Sequence, residues 1–168
     1  MNMPKISVII PCYNEEKTIE EIVKKVLNQK EIINELIIID DKSTDKSKDI
    51  ITKISANNPN IKCYFKDRNE GKGSALIKGF ELSSGDIVII QDADLEYDPS
   101  DYEKILKPLI NDQADVVFGT RFYTSNEKRV LYYWHSIGNK FLTFLSNCFS
   151  NLNLSDMECC YKAFKISV

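Results

Sequence analysis

Four short, nearly all-apolar runs rich in β-branched residues govern what this chain can become: residues 6–10, 36–39, 61–65 and 87–90. A strand built from such a run has no polar face and must be covered on both sides. The segments between the runs carry apolar residues at helical spacing: Ile19, Ile22, Val23, Val26 and Leu27 after the first, Ile50, Ile51 and Ile54 after the second, Ala75, Leu76 and Phe80 after the third. After the fourth, Tyr102, Ile105, Leu106, Leu109 and Ile110 repeat the pattern, and residues 114–118 form a further run. This alternation predicts an α/β fold, a mostly parallel sheet covered by helices on both faces. Pro11 is expected to stop the first strand, and Ser43 or Thr44 to cap the second helix. A last strand is expected over 161–164. Residues 130–149 read as an apolar helix with a face of Trp134, Ile137, Phe141, Leu142, Leu145 and Phe149. Core packing is the first reading of that face, and contact with a membrane the second.

Ligands of such sheets lie beyond the carboxyl ends of the strands. Three polar turns fall there: Pro11-Cys12-Tyr13-Asn14-Glu15, Asp40-Asp41 and Asp92-Ala93-Asp94. One cleft can collect all three. Asp92, Asp94 and Glu96 sit at alternate positions, so they converge if the chain stays extended, and separate if it turns. Carboxylates that close need a cation between them, and hard oxygen ligands suit Mg²⁺ or Mn²⁺. A metal there can hold a nucleotide diphosphate. Tyr13 can stack on its base, and Asp40 or Asp41 can accept hydrogen bonds from base or ribose, one of the pair serving only to cap the helix. The loop Asn69-Glu70-Gly71-Lys72-Gly73 precedes a helix and can touch phosphate or base through Lys72. It lacks the spacing of a Walker loop, and no Gly-x-Gly-x-x-Gly follows the first strand. Arg121, just past a strand end, is a candidate for diphosphate oxygens.

At 168 residues the chain suffices for one domain with a real core. A net charge of −3 gives no basic field, so nucleic acid is not an expected partner. No run approaches the ~18 apolar residues of a membrane span, and the first strand begins without a signal-peptide pattern. A cytoplasmic location is the expectation. The five cysteines are odd in number and contain no Cys-x-x-Cys, which speaks against a disulfide framework or a structural zinc site.

Ser-Val-Ile-Ile-Pro-Cys-Tyr-Asn-Glu at 7–15, Ile-Ile-Asp-Asp-Lys-Ser-Thr-Asp at 38–45, Asn-Glu-Gly-Lys-Gly-Ser-Ala-Leu at 69–76, Gln-Asp-Ala-Asp-Leu-Glu-Tyr-Asp-Pro at 91–99 and Gly-Thr-Arg-Phe at 119–122 follow one another in a fixed order. Together they resemble the family 2 glycosyltransferases of GT-A fold. Within these, the chain is similar to the dolichol-phosphate mannosyltransferase and polyprenyl-phosphate hexosyltransferase group. The stretches 138–143 and 155–162 add to that. The resemblance implies an inverting transfer of a hexose from a GDP- or UDP-sugar to a dolichyl or undecaprenyl phosphate, assisted by Mg²⁺ or Mn²⁺. It implies that Pro11, Tyr13, Glu15 and Asp41, with Asn14 and Asp40 in the same turns, hold the nucleoside. Arg121 would meet the diphosphate, Lys72 and Asp92 would belong to the nucleotide-sugar site, and Asp92, Asp94 and Glu96 would meet the metal. Asp94, Asp156 and Arg121 would serve catalysis, with Glu158 also near the reacting centre, and Lys140 or Lys162 would position the acceptor phosphate. The enzyme would sit peripherally on the cytoplasmic face of a membrane and build cell-envelope glycans. Lys42 stands where the family usually has Gly, at a cost of about 1 kcal/mol if that turn needs φ > 0. Relatives run on past residue 168, so a single GT-A domain over 1–168 lacking their C-terminal extension is expected. Transfer to a saccharide hydroxyl and a non-catalytic nucleotide-sugar-binding domain are the alternatives. A phosphotransferase with Asp92 as nucleophile is disfavoured by Leu95, where that chemistry wants Thr or Val.

Overall fold

Val8, Ile9 and Ile10 have no exposed surface, because β1 (Ile6–Cys12) has a strand on either side and packed side chains on both faces. The computed structural model describes residues 4–119 and 133–168. From β1 the chain runs through α1 (Ile19–Leu27), β2 (Glu35–Asp40), α2 (Ser47–Ala56), β3 (Ile61–Phe65), α3 (Lys72–Leu82) and β4 (Ile87–Ile90). A 3-10 turn at Pro99–Asp101 leads into α4 (Tyr102–Ile110), followed by β5 (Val116–Phe118), α5 (Tyr133–Ser150) and β6 (Lys162–Lys165). The strand order is β3-β2-β1-β4-β6-β5. The pairs among β1 to β4 are parallel, and β6 runs antiparallel to both β4 and β5. The expected mostly parallel α/β sheet is thus what forms.

Alternation along the central strands divides the core in two. Val8, Ile10, Leu36, Ile38, Ile87 and Ile89 pack with Ile19, Ile22 and Val23 of α1, Ile51 of α2 and Leu106 of α4. Ile9, Ile37, Ile39 and Val88 face the other way, onto Ala75, Leu76 and Phe80 of α3. A β-carbon on Gly79 would come within 2.5 Å of Ile9 Cγ2, so the missing side chain lets α3 lie close over β1.

Pro11 does not end β1, which runs on to Cys12. Ile9 O accepts from Gln91 N and Cys12 O from Asp41 N, so Pro11 turns its nitrogen toward the β4 side. There β4 has already stopped at Ile90, opposite Ile9, and no N–H is needed. α2 starts at Ser47, later than a Ser43 or Thr44 cap would place it; Asp45 Oδ1 accepts the Ser47 N–H instead. The largest departure is α5. Its start at 133 follows residues outside the described set, so the expected onset at 130 falls there. Trp134, Ile137, Phe141, Leu142, Phe144 and Phe149 are all exposed, Phe149 to 88%, whereas the polar Asn139 and Thr143 are buried. Asn139 Nδ2 donates to Asp156, and Thr143 Oγ1 accepts from Met157 N. α5 is therefore fastened by its polar side, and the core reading of its apolar face does not hold.

At the other end of the strands, Glu35 ties four segments together. Its Oε1 accepts from Ser7 Oγ (2.6 Å), Ser84 N (2.6 Å) and Ser84 Oγ (3.0 Å), and its Oε2 pairs with Lys62 at 2.6 Å. Burial works to raise its pKa, but Lys62 and the hydroxyl and amide donors outweigh that and hold it at about 2. A depressed carboxyl pKa stabilises the fold above the ordinary carboxylate range and loses that effect as pH falls toward the folded value. Glu35→Gln is expected to cost about 2 kcal/mol at pH 7 in urea unfolding, with the gap to wild type narrowing as pH drops from about 4.5 toward 3. A gap that is the same at both pH values would contradict this account.

Candidate functional site

β1 leads outward to β2 and β3, and the chain then returns to lay β4 on the other side of β1. The crevice beyond the carboxyl ends of β1 and β4 is thus a topological switch point. A cavity of about 380 Å³ opens there, lined by Pro11, Cys12, Tyr13, Glu15, Asp41, Asn69, Gly71, Lys72, Ala75, Asp92, Ala93 and Asp94. A second depression of about 450 Å³ lies at the opposite end of the sheet, among Pro4, Ile6, Ile32, Leu106 and Ile110 with Glu31, Glu103 and Lys107 around it. It is larger, but the carboxyl ends of the parallel strands β1 to β4 all lie at the other end of the sheet. The three polar turns converge on the first cavity.

The first two turns are stitched together. The backbone N–H groups of Asn14, Glu15 and Glu16 donate in succession to Ser43 Oγ, Ser47 Oγ and Asp45 Oδ2, at 3.0, 2.8 and 3.0 Å. Asn14 Oδ1 accepts from Thr44 N and Thr44 Oγ1 in return. Asn14, at φ 56°, is therefore a link between turns and not a cavity residue. Tyr13, 47% exposed, is left standing at the cavity wall. Cys12 also lines it, with burial and then the Asp40 carboxylate pushing its thiol up to about 12.

Asp40 and Asp41 part ways, and neither caps the helix, since α2 begins at Ser47 beside Asp45. Asp40 turns inward, 2% exposed. Its Oδ2 accepts from Ser43 N, and its Oδ1 has no hydrogen-bond partner among the described residues. Asp41 faces the cavity. Its carboxylate takes Lys66 Nζ at 2.8 Å and the N–H groups of Glu70 and Gly71, the latter at 2.7 Å. Burial opposes that charge, but Lys66 and the two amides win and lower the pKa. Lys66 is itself buried and spends its remaining protons on Glu70 Oε2 (2.9 Å) and Ser74 Oγ (2.8 Å). The sequence reading passed over Lys66, whose only signal is a lysine directly after a strand. Gly71, at the N-cap of α3, takes φ 86° with open space around its α-carbon, so it is the backbone conformation that requires glycine.

The acidic turn is clamped by Gln91, also unremarked in the sequence. Gln91 is fully buried; its Nε2 donates to Asp92 O and Tyr97 O, and its Oε1 accepts from Tyr102 Oη. Within the turn, Leu95 takes φ 63°, and Glu96 N donates to Asp94 Oδ1 at 3.0 Å. The chain does not stay extended. Asp92 and Asp94 line the cavity and Glu96 does not. Among the described residues no three of His, Cys, Asp or Glu are grouped to hold a metal, so the three-carboxylate set does not form. Asp92, nearly buried, instead meets Lys72 Nζ at 2.5 Å, and Lys72 also reaches Cys160 Sγ at 3.2 Å. Burial works against the Lys72 ammonium, but Asp92 outweighs it and raises the pKa.

Asp156 is not a cavity residue. It is 1% exposed and accepts from Asn139 Nδ2 of α5 at 2.8 Å. Lys162 Nζ lies 4.7 Å from the Phe118 ring centroid and donates to Met157 O. Lys140 is exposed on α5. Arg121 lies outside the described residues.

A family model described as glycosyl transferase family 2 matches residues 7–168. A dolichol-phosphate mannosyltransferase of Pyrococcus furiosus is 34% identical over 70% of this chain and 33% of its own length. An undecaprenyl-phosphate 4-deoxy-4-formamido-L-arabinose transferase of Photorhabdus laumondii is 30% identical over 96% of this chain and 49% of its own. A UDP-N-acetylglucosamine–dolichyl-phosphate N-acetylglucosaminyltransferase of Methanococcus voltae is 30% identical over 96% of this chain and 70% of its own. The chain thus spans from a third to somewhat over two thirds of these relatives. Among solved structures, a mannosyltransferase of Pyrobaculum calidifontis in complex with GDP-Man and Mn²⁺ superposes with TM-score 0.68 at 22% identity, over 98% of this chain and 45% of that one. Glucosyl-3-phosphoglycerate synthase of Mycobacterium tuberculosis in complex with UDP gives 0.71 at 24%, over 98% and 57%. These likenesses show that the fold is GT-A.

The turn after Asp41 carries Lys42 at φ 63°, the left-handed conformation that glycine adopts without cost. Lys42→Gly is expected to raise stability by about 1 kcal/mol, or about 2–4 °C in melting temperature. An unchanged or lowered melting temperature would show that Lys42 gains back this strain through its side chain.

Proposed function

The chain belongs to glycosyl transferase family 2, and we propose that it moves a hexose from a nucleotide-diphosphate sugar to a polyprenyl phosphate, inverting the anomeric carbon in one displacement. The observation that carries this reading is a single cavity joining the exposed Tyr13 ring and the Asp41 carboxylate to the Asp92–Asp94 pair. The volume of about 380 Å³ is within the range of small-molecule sites. Tyr13 offers a stacking face to the base, and Asp41, already fixed by Lys66, an acceptor for its N–H groups. Lys72 and, from its motif, Arg121 are assigned to the diphosphate. The relatives named for dolichyl or undecaprenyl phosphate support a lipid-phosphate acceptor.

The donor set fits Mg²⁺ or Mn²⁺. Two carboxylates share one cavity wall, Asp92 already neutralised there by a cationic side chain, and such ions take one or two carboxylates plus substrate phosphates. When bound, the ion supplies charge stabilisation to the departing diphosphate. The chain's own residues do the rest. Gln91 keeps Asp92 in place, the Leu95 turn presents Asp94, and the Asn139–Asp156 bond holds α5 to the segment leading into β6. Asp156 in this reading positions the acceptor side and does not touch reacting atoms. A phosphate nucleophile is already an anion, so the reaction needs no strong general base.

α5 is assigned to the membrane that carries the acceptor. Trp134, Ile137, Phe141 and Phe144 follow helical spacing along one exposed stripe. Residues 128–155 contain Lys128, Arg129 and Lys140 and no acidic residue, in a chain of net charge −3. Among the described residues no helix is long and apolar enough to cross a membrane, so the contact would be peripheral.

The test is transfer of labelled hexose from GDP- and UDP-sugars to a short-chain polyprenyl phosphate with Mn²⁺. Transfer is expected, reduced at least about a hundredfold in Asp94→Asn. Wild-type turnover in that variant would remove Asp94 from the site, and donor binding without any transfer would favour the non-catalytic alternative. In sedimentation with anionic vesicles, Phe141→Ser/Phe144→Ser is expected to lower the bound fraction several-fold. Equal sedimentation of variant and wild type would refute the assignment of α5 to the membrane.

A further inference from the structure

Lys72 occupies the place on Asp92 that a metal ion needs. Its Nζ is 2.5 Å from Asp92 Oδ1, and with the ammonium in place the Asp92 side chain is only 11% exposed. The Lys72 side chain is 44% exposed, on the first residue of α3, and has room to move along the cavity wall. Its other contact is Cys160 Sγ at 3.2 Å, a weak acceptor that does not fix it. Asp94, two residues further on, has no such cation among the described residues; its Oδ1 accepts an amide N–H. The two carboxylates of the motif are therefore unequal at rest, one masked and one open.

We propose that Lys72 is a built-in counter-cation that blocks Asp92 to divalent metal until a nucleoside diphosphate draws it away. An ammonium and a divalent ion on one carboxylate repel each other, so metal binding requires Lys72 to leave. The diphosphate of a donor entering the same cavity offers it a stronger anion than Cys160 can. Metal and nucleotide then bind with positive coupling. Each removes an obstacle to the other, and by linkage the factor is the same in both directions. The device has a use. A site that took metal freely on its own would present a tightly held ion without a substrate phosphate, whereas this one assembles metal, Lys72 and diphosphate together.

This inference rests on the assignment of Asp92 to the metal, and the experiment separates the two. Mn²⁺ affinity is measured by electron paramagnetic resonance with Mn²⁺ alone and with saturating GDP or UDP, on wild type, Lys72→Met, Lys72→Gln, Lys78→Met and Asp92→Asn. Wild type is expected to bind Mn²⁺ weakly alone and about tenfold or more tighter with one of the two nucleotides. Both Lys72 variants are expected to bind Mn²⁺ alone about tenfold tighter than wild type, and to show a smaller gain when nucleotide is added. Lys78→Met removes a charge from the same helix, away from the carboxylates, and is expected to match wild type. Lys72 variants that bind Mn²⁺ alone no better than wild type, or that keep the full nucleotide gain, overturn the blocking role while leaving the metal assignment standing. A Lys78→Met effect as large as that of Lys72→Met does the same, since it would reduce the result to net charge. If Asp92→Asn binds Mn²⁺ with nucleotide as wild type does, the metal assignment falls and the blocking role with it.

Discussion

The carboxylate of Asp41 is the joint on which the cavity depends. It sits at the end of β2, takes the ammonium of Lys66 from the end of β3, and takes two amide protons from the loop that opens α3. Nearly buried, it would be costly unpaired; fully engaged, it converts that cost into position. The bonds of Lys66 to Glu70 and Ser74 carry the constraint into the first turn of α3. Gly71 and Lys72 are consequently held over the cavity by the same group that lines its wall. The Asn14–Ser43–Thr44 stitching does the same on the β1 side. The site is a set of loops, but they are tied to one another through side chain to backbone bonds and through the Asp41–Lys66 and Asp92–Lys72 ion pairs.

Opposite this joint, the acidic turn works by a different rule. Its carboxylates are kept apart by conformation. Leu95 is held left-handed, which a bulky side chain adopts only when its surroundings enforce it, and its side chain packs against the main core. Gln91 closes the turn from beneath by holding the carbonyls of Asp92 and Tyr97. The turn thus spends local strain to place two carboxylates and to exclude the third.

Much of this was legible in the sequence. The apolar runs had one reading, because strands of Ile and Val without a polar face need two covering layers, and the sheet formed as expected. The cavity followed, since polar turns at the carboxyl ends of parallel strands share an edge. What stayed hidden was of another kind. Lys66 and Gln91 act through bonds to groups far off in sequence or to backbone carbonyls, and neither leaves a periodic trace. Glu96 was misplaced because alternation holds only for an extended chain, and one φ at Leu95 undoes it. Nor did the sequence signal that Asp156, placed near the reacting centre by the resemblance, is buried and accepts from Asn139. α5 was misread because apolar spacing does not say which side a helix is held by; the deciding residues were the polar Asn139 and Thr143.

The uneven lengths of the two central strands have a further meaning. β4 stops at Ile90, level with Ile9, while β1 continues through Pro11 to Cys12. The three extra residues make a ledge about 10 Å deep at the edge of the sheet. Its floor is the end of β4, where Asp92 begins, and its upper rim is the turn bearing Tyr13. The ledge acts as a ruler between the acidic turn and the aromatic ring. Proline keeps the ruler clean, because it offers no N–H to recruit a further residue of β4 into the sheet. The span between Tyr13 and Asp92 is thereby set by where one strand stops, a property of backbone pairing that belongs to no single side chain of the cavity.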